Sequence, residues 1–245
     1  MIIDHHHRRR DPDLNIIPYF IDSEPYPSTT LLISDNLGIE YNILSIIGIV
    51  GDLGEAIYNS KYIGLVEEVG GKYGLDVDEL LRLSSLIDSN YISGDRRRVV
   101  RAVDILIKYM EEPRKLLEYT PWIIQCNDIM REIERYSRDT PNMVDSNIYF
   151  LEINSRYLIT SPVGRSLAKR YRGSYIIVGN PNLHRNYCQI YVRIYGDDKV
   201  DLSMMVDKLL EMGFYAGGKS NVFGVIAPKK MYNYLLQWII NELRG

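Results

Sequence analysis

Thiols are scarce in this chain. Its 245 residues include two cysteines, Cys126 and Cys188, with no second thiol near either. That excludes a disulfide framework or a thiolate metal site and fits a reducing compartment. Long apolar runs are missing as well. The most apolar stretch, ILSIIGIVG, is too short to span a bilayer and ends at Asp52. The N-terminal MIIDHHHRRRDPD lacks the apolar segment of a signal peptide. There are no internal repeats and no low-complexity tracts. These absences predict a soluble, cytoplasmic protein with no membrane partner, and no cofactor is expected.

What is present is ordinary globular composition, 46% hydrophobic and 25% charged. The length suffices for a core without staples. The net charge of −3 is unevenly spread. Residues 1–139 carry 16 Lys and Arg against 24 Asp and Glu, a net −8, whereas residues 140–245 carry 13 against 8, a net +5. The change of sign suggests two units with different partners, the basic one suited to phosphates. The boundary is placed at 139/140.

The grammar changes at the same place. MIID and LNIIPYF read as short strands, and helices then dominate to residue 139. STTLLISDNLG starts at Ser28 or Thr29 and stops at Gly38. YNILSIIGIVGDLG is apolar nearly all round and reads as a buried helix. RRRVVRAVDILIKYMEE places Val99, Val100, Val103, Leu106, Ile107 and Met110 on one face, with Arg97, Arg101, Asp104 and Lys108 on the opposite one. A long helical stretch after residue 113 is expected to break or kink at Pro121. From about residue 147, strands (IYFLEIN, SYIIVGN, YCQIYVRIYG, NVFGVIAP) interleave with helices, predicting an α/β arrangement.

GFYAGGKS, residues 213–220, fits the phosphate-loop pattern G-x-x-x-x-G-K-[ST]. A true phosphate loop follows a strand and opens a helix, so that helix amides meet the phosphates. Here a helix precedes the glycines and a β-rich segment follows, which argues against a nucleotide hydrolase. Two readings stand: a glycine-rich turn between helix and strand, or a backbone nest that holds one phosphate of something larger.

At the other end, Asp4, His5, His6 and His7 follow the first strand, and Asp52 ends the apolar helix. Imidazole and carboxylate suit a divalent ion, but a catalytic metal needs ligands from several segments. IIDHH, YPSTTLL and SIIGIVGDLGE, in this order, resemble the second half of the DHH phosphoesterase domain, RecJ-like branch. The segment from SPVGRSLAKRYRG through AGGKSNVFGVIAP resembles the DHH-associated domain. The resemblance implies an α/β fold: a partial, mostly helical DHH domain at 1–139, and a DHH-associated α/β domain with a mixed sheet at 140–245. It also implies that His5 and Asp52 descend from metal ligands, that Asp4 orients His5, and that His6 lies near a substrate phosphate. The loop that reads Gly-Gly-His in that family reads Gly217, Gly218, Lys219 here.

These departures shape the expected function. The first two carboxylate motifs of the family precede the Asp-His-His segment, which stands at the start of this sequence. Two-metal hydrolysis needs both ions clamped about the reacting oxygens. Lys219 can hold a phosphate as a point charge but cannot act as an imidazole near neutral pH. The expectation is therefore a non-enzyme: a truncated archaeal protein of the RecJ-like, cell division control protein 45-like class. Its implied partners are the GINS complex and the MCM helicase in DNA replication, with single-stranded DNA as a further ligand. No bound metal is expected, Asp4, His5, His6 and Asp52 being vestigial; an Asp4–His5 hydrogen bond would suit the strand end without an ion. The alternatives are a DHH nuclease or phosphoesterase completed by a partner chain, and a free-standing single-strand binder. Candidate nucleic-acid contacts are Arg193, Gly217, Gly218, Lys219 and Ser220, with Arg165 and Lys169 on a short helix. The competing reading of Arg165 and Lys169 is a solvated face. Arg96, Arg97, Arg98 and Arg101 crowd a helix start, where the helix dipole disfavours cations, and suggest an acidic or phosphate-bearing partner.

Overall fold

The computed structural model describes residues 2–4, 19–21, 26–184, 186–196 and 201–244, with side chains omitted for 2–4, 19–21 and 184. The chain divides into two compact units. One is Met1–Tyr91 with Asp95–Cys126, the other Ile92–Gly94 with Asn127–Gly245.

The first unit opens on two short parallel strands, β1 (Ile2–Asp4) and β2 (Tyr19–Ile21), with Ile3 opposite Phe20. Helix α1 (Thr29–Leu37) starts where the Ser28 hydroxyl accepts from the Leu31 amide at 3.3 Å, and ends at Gly38, φ 61°. Both ends agree with the sequence reading, and both have the expected cause: an oxygen for an orphan amide, and a residue without Cβ in the left-handed region. Helix α2 (Ile43–Leu53) begins with a reciprocal Asn42–Ser45 capping box. Small residues let α1 and α2 approach closely. A Cβ on Gly48 would fall 1.9 Å from Thr30 Oγ1, and Thr30 donates to the Ser45 carbonyl at 3.2 Å. The buried Ser34 and Ser45 hydroxyls bond at 2.8 Å.

Helices α3 (Ile63–Lys72), α4 (Val77–Ile92) and α5 (Arg96–Lys108) follow. Ile46, Ile49, Val50, Val66, Leu80, Leu83 and Trp122 form the core of this unit. The apolar face read for α5 is divided, rotated so that only its Leu106 and Met110 end packs partly against the core. Ala102 is buried, and Ile105 and Leu106 pack partly against the core, while Val99, Val100, Val103 and Ile107 are exposed. A polar clasp accounts for the rotation. Arg98 donates to the side-chain oxygen of buried Gln125, whose amide donates to Ser89 Oγ at 3.1 Å. Pro121 neither breaks nor kinks a helix; it stands in the first turn of α6 (Thr120–Arg138), where a missing N–H costs nothing.

The second unit is built on a six-stranded mixed sheet. Its strands are β3 (Asn142–Asp145), β4 (Ile148–Glu152), β5 (Tyr175–His184), β6 (Tyr187–Ile194), β7 (Tyr215–Lys219) and β8 (Val222–Pro228), in the spatial order β3-β4-β5-β6-β8-β7. Within this sheet β4 and β5 pair in parallel, joined through helix α7 (Thr160–Arg170), and the other described neighbours pair antiparallel. Period-2 alternation assigns the faces. Cys188, Ile190, Val192 and Ile194 join Phe223, Val225 and Ala227 beneath α8 (Ser203–Glu211) and α9 (Tyr232–Arg244). Ile176 and Val178 face the other way, against Val163, Leu167 and Ala168 of α7.

The glycine run is a correction to the sequence reading. Gly217 and Gly218 are not a turn; they lie inside β7, with Gly217 opposite Gly224 and Gly218 opposite Phe223. The reversal occurs one step later, at Ser220 and Asn221, while Gly213 (φ 82°) ends α8. Cys126 and Cys188 are free thiols, each pushed up in pKa by burial. No helix among the described residues is long and apolar enough to cross a membrane.

Candidate nucleic-acid interface

The cross-strand register places three of the C-terminal candidates, Arg193, Gly217 and Lys219, on one face. Arg193 of β6 stands opposite Val222 of β8, and Val222 stands opposite Lys219 of β7. Directly paired residues share a face, so Arg193 and Lys219 lie in one row, roughly 10 Å apart across two strand spacings. The next row is Tyr191, Gly224 and Gly217; the one after is Gln189, Ile226 and Tyr215. Two glycines thus floor a shelf edged by Arg193, Lys219 and the exposed Tyr215, with Tyr191 buried at its inner side beneath α7. A Cβ at Gly217 would meet nothing within 4 Å, which marks the shelf as open there.

The polar groups suit an anionic ligand. Arg193 Nη1 donates to the Tyr191 hydroxyl at 3.2 Å, which fixes the guanidinium on the sheet. Its buried Nε has no acceptor among the described residues, and neither does the buried Gln189 Oε1 have a donor. A buried donor without a partner is costly; what a phosphate can meet at this residue is the charge of the guanidinium rather than the enclosed Nε. Lys219 is exposed and forms no ion pair with a described residue. Tyr215, 80% exposed on the same face, offers a ring for stacking.

Ser220 is exposed in the hairpin turn, and its carbonyl accepts from the Leu202 amide at 2.7 Å. Gly218 is required by the strand pairing, because a Cβ there would fall 2.1 Å from the Val222 carbonyl oxygen. Arg165 and Lys169 are exposed on α7, which covers the β5 and β6 part of this sheet face; no described contact joins them to the shelf. Tyr191, Tyr215, Gln189 and Gly224 escaped the sequence reading. Alternation along YCQIYVRI was enough to find Gln189 and Tyr191, since they share the parity of Arg193.

The N-terminal candidates are less fully placed. Asp4 ends β1, and its side chain, with His5 and His6, lies outside the described residues. Asp52, at the end of α2, is exposed rather than buried in the apolar helix. It lines a cleft of about 420 Å³ with Ser84, Ser85 and Asp88. Although Asp88 as a residue is exposed, the cleft wall desolvates its carboxyl and raises its pKa. No group of three or more His, Cys, Asp or Glu able to hold a metal ion occurs among the described residues.

No protein-family model matches the sequence, and no curated protein matches it. Solved structures match its fold. A DHH-domain protein described as a member of a family of ribosomal proteins superposes with a TM-score of 0.52 at 16% identity, over 86% of this chain and 51% of that one. RecJ in complex with manganese from Thermus thermophilus gives 0.57 at 14%, over 94% and 39%. PggH, a pGpG-specific phosphodiesterase from Vibrio cholerae, gives 0.51 at 14%, over 100% and 79%. The chain spans about half of the first of these proteins and well under half of that RecJ. The helical unit and the mixed-sheet unit together carry the RecJ-like fold of DHH-domain proteins.

Proposed function

We propose that this chain is a RecJ-like component of a DNA-replication assembly that holds single-stranded DNA without cutting it. The observation that carries the DNA-holding part is the shelf: the cations Arg193 and Lys219 in one row, beside an open glycine row. Such a surface contacts phosphates and stacks bases with little sequence preference. One feature supports the absence of cleavage. Lys219 occupies the place of a histidine in the resembling loop, and a lysine can hold a phosphate as a point charge but does not do the work of an imidazole.

The partners GINS and MCM follow from the RecJ-like resemblance together with the replication reading. The test is size-exclusion chromatography of the purified chain with purified GINS and MCM. A stable co-migrating complex is the expected result; separate elution of all components sinks the partner assignment. A second reading, a phosphoesterase completed by another chain, is favoured by the Asp52–Asp88 cleft. It requires hydrolysis of a labelled strand that appears only when that partner is added.

A further inference from the structure

Helix α5 presents an apolar stripe that the described residues of the first unit leave uncovered. Val99, Val100, Val103 and Ile107 are 37%, 58%, 52% and 64% exposed. At 100° per residue they fall within one face of the helix, along three turns. The next face round is basic, with Arg97, Arg101 and Lys108 beside a single acid, Asp104. On the side of the helix away from the stripe, Arg98, with Arg97 and Arg101 at its border, lines a cleft of about 470 Å³ together with Asp95, Tyr119 and Trp122. The helix carries five cations against one anion, within a region of net charge −8. Its arginines crowd the first two turns, against the helix dipole. The cap Asp95 meets part of that charge through Arg97, 3.5 Å away, while Arg96 and Arg101 form no ion pair with a described residue. An apolar ridge with a cationic flank is thus kept at a cost to the helix.

We propose that α5 is a docking ridge for an acidic amphipathic segment of a partner protein. The segment's apolar side chains cover the valine and isoleucine stripe, and its carboxylates meet the flank of Arg97, Arg101 and Lys108. The pattern of apolar centre and charged border is that of a protein interface. Arginine forks suit carboxylates bidentately. Nucleic acid fits less well, because four aliphatic side chains offer neither phosphate contacts nor rings for stacking. A lipid surface fits less well, because interfacial helices bring Trp, Phe or Leu to their apolar face, and this stripe has three valines and an isoleucine. The proposal rests on none of the residues of the sheet face in the second unit and stands or falls separately from it.

The test uses the full chain and a fluorescein-labelled synthetic helix of about five turns, with Leu along one face and Glu on its flanks. Fluorescence anisotropy should show saturable binding. A control peptide with Lys in place of Glu, or Ser in place of Leu, should not bind. The double variant Val103→Asp/Ile107→Asp, at exposed positions, should keep the wild-type circular dichroism and weaken binding about tenfold or more. The variant Arg97→Glu/Arg101→Glu should reverse the preference in favour of the Lys peptide. Equal binding of the Glu and Lys peptides overturns the proposal, as does binding that survives Val103→Asp/Ile107→Asp or no binding at all. It is overturned, too, if light scattering shows a dimer that the stripe variant splits, which would make a second copy the occupant. Stripe-dependent binding to phosphatidylglycerol vesicles, or to a labelled oligonucleotide, would assign the ridge to lipid or nucleic acid instead.

Discussion

A Cβ on Gly218 would fall 2.1 Å from the Val222 carbonyl oxygen and 2.6 Å from Phe223 Cα, whereas one on Gly217 would meet nothing within 4 Å. Adjacent glycines therefore do different things. Gly218→Ala forces the β7–β8 pair apart above the fully buried Phe223 and should cost roughly 1–3 kcal/mol, read as a lower denaturant midpoint. Gly217→Ala should leave stability unchanged or slightly improved, since alanine restricts the unfolded chain, while the added methyl narrows the shelf and weakens binding of labelled single-stranded DNA. The doublet is legible in the sequence; the division of labour is not, because it depends on which strand lies behind which residue. Asp88 gives a prediction of opposite sign to the usual carboxylate. Desolvation raises its folded-state pKa, so the folded protein holds the proton to higher pH than the unfolded chain. Stability is lost as pH rises from the ordinary value of 3.8 through the raised one. Asp88→Asn should therefore be as stable as wild type or more so at pH 7. That difference should vanish in acid below the ordinary carboxylate value, as thermal melts across pH would show.

The helix ends were readable because caps are local chemistry: Ser28 and Gly38 bound α1 for reasons contained in a few residues. The rotation of α5 was not, because periodicity reports an apolar face without saying what covers it. The Arg98–Gln125–Ser89 clasp, linking residues far apart in sequence, sets that rotation. Strand β7 was missed since YAGGK has neither alternation nor β-branched residues; its pairing with β8 imposes the strand. The α1–α2 crossing yields a test of element packing. Gly48→Ala drives a methyl into Thr30, and α1 must shift away from α2, losing the bond from Thr30 to the Ser45 carbonyl. A loss of roughly 1–3 kcal/mol is expected, measured by urea unfolding; Thr30→Ser, which frees space on Thr30 but keeps its hydroxyl, should recover little of it because the clash is with Oγ1. Asp95 caps α5 by accepting from the Arg97 amide at 2.9 Å, and that bond holds its carboxyl below the ordinary value. Its stabilisation is present above the ordinary carboxylate pKa and fades as pH falls through the depressed one. Asp95→Ala should thus lower the melting temperature at pH 7, with the deficit shrinking in strong acid.

For the whole molecule, the chain divides into two compact units, one mostly helical and one built on a mixed sheet. The charge change was placed at 139/140, whereas the compact units exchange at residues 126–127, inside α6, since packing rather than charge sets where a unit ends. The fold is RecJ-like, and the sheet unit brings Arg193 and Lys219 into one row although they are separated along the chain by a helix and a strand start. The DNA-holding, non-cleaving account meets its most direct test in one experiment. A 5′-labelled single strand is incubated with the purified chain and manganese, and samples are run on native and denaturing gels in parallel. The account predicts a shifted band on the native gel and a full-length strand on the denaturing gel. Arg193→Ala and Lys219→Ala should each weaken the shift and reduce its salt dependence by about one phosphate contact. Manganese-dependent shortening of the strand, or no shift at low salt, would contradict it.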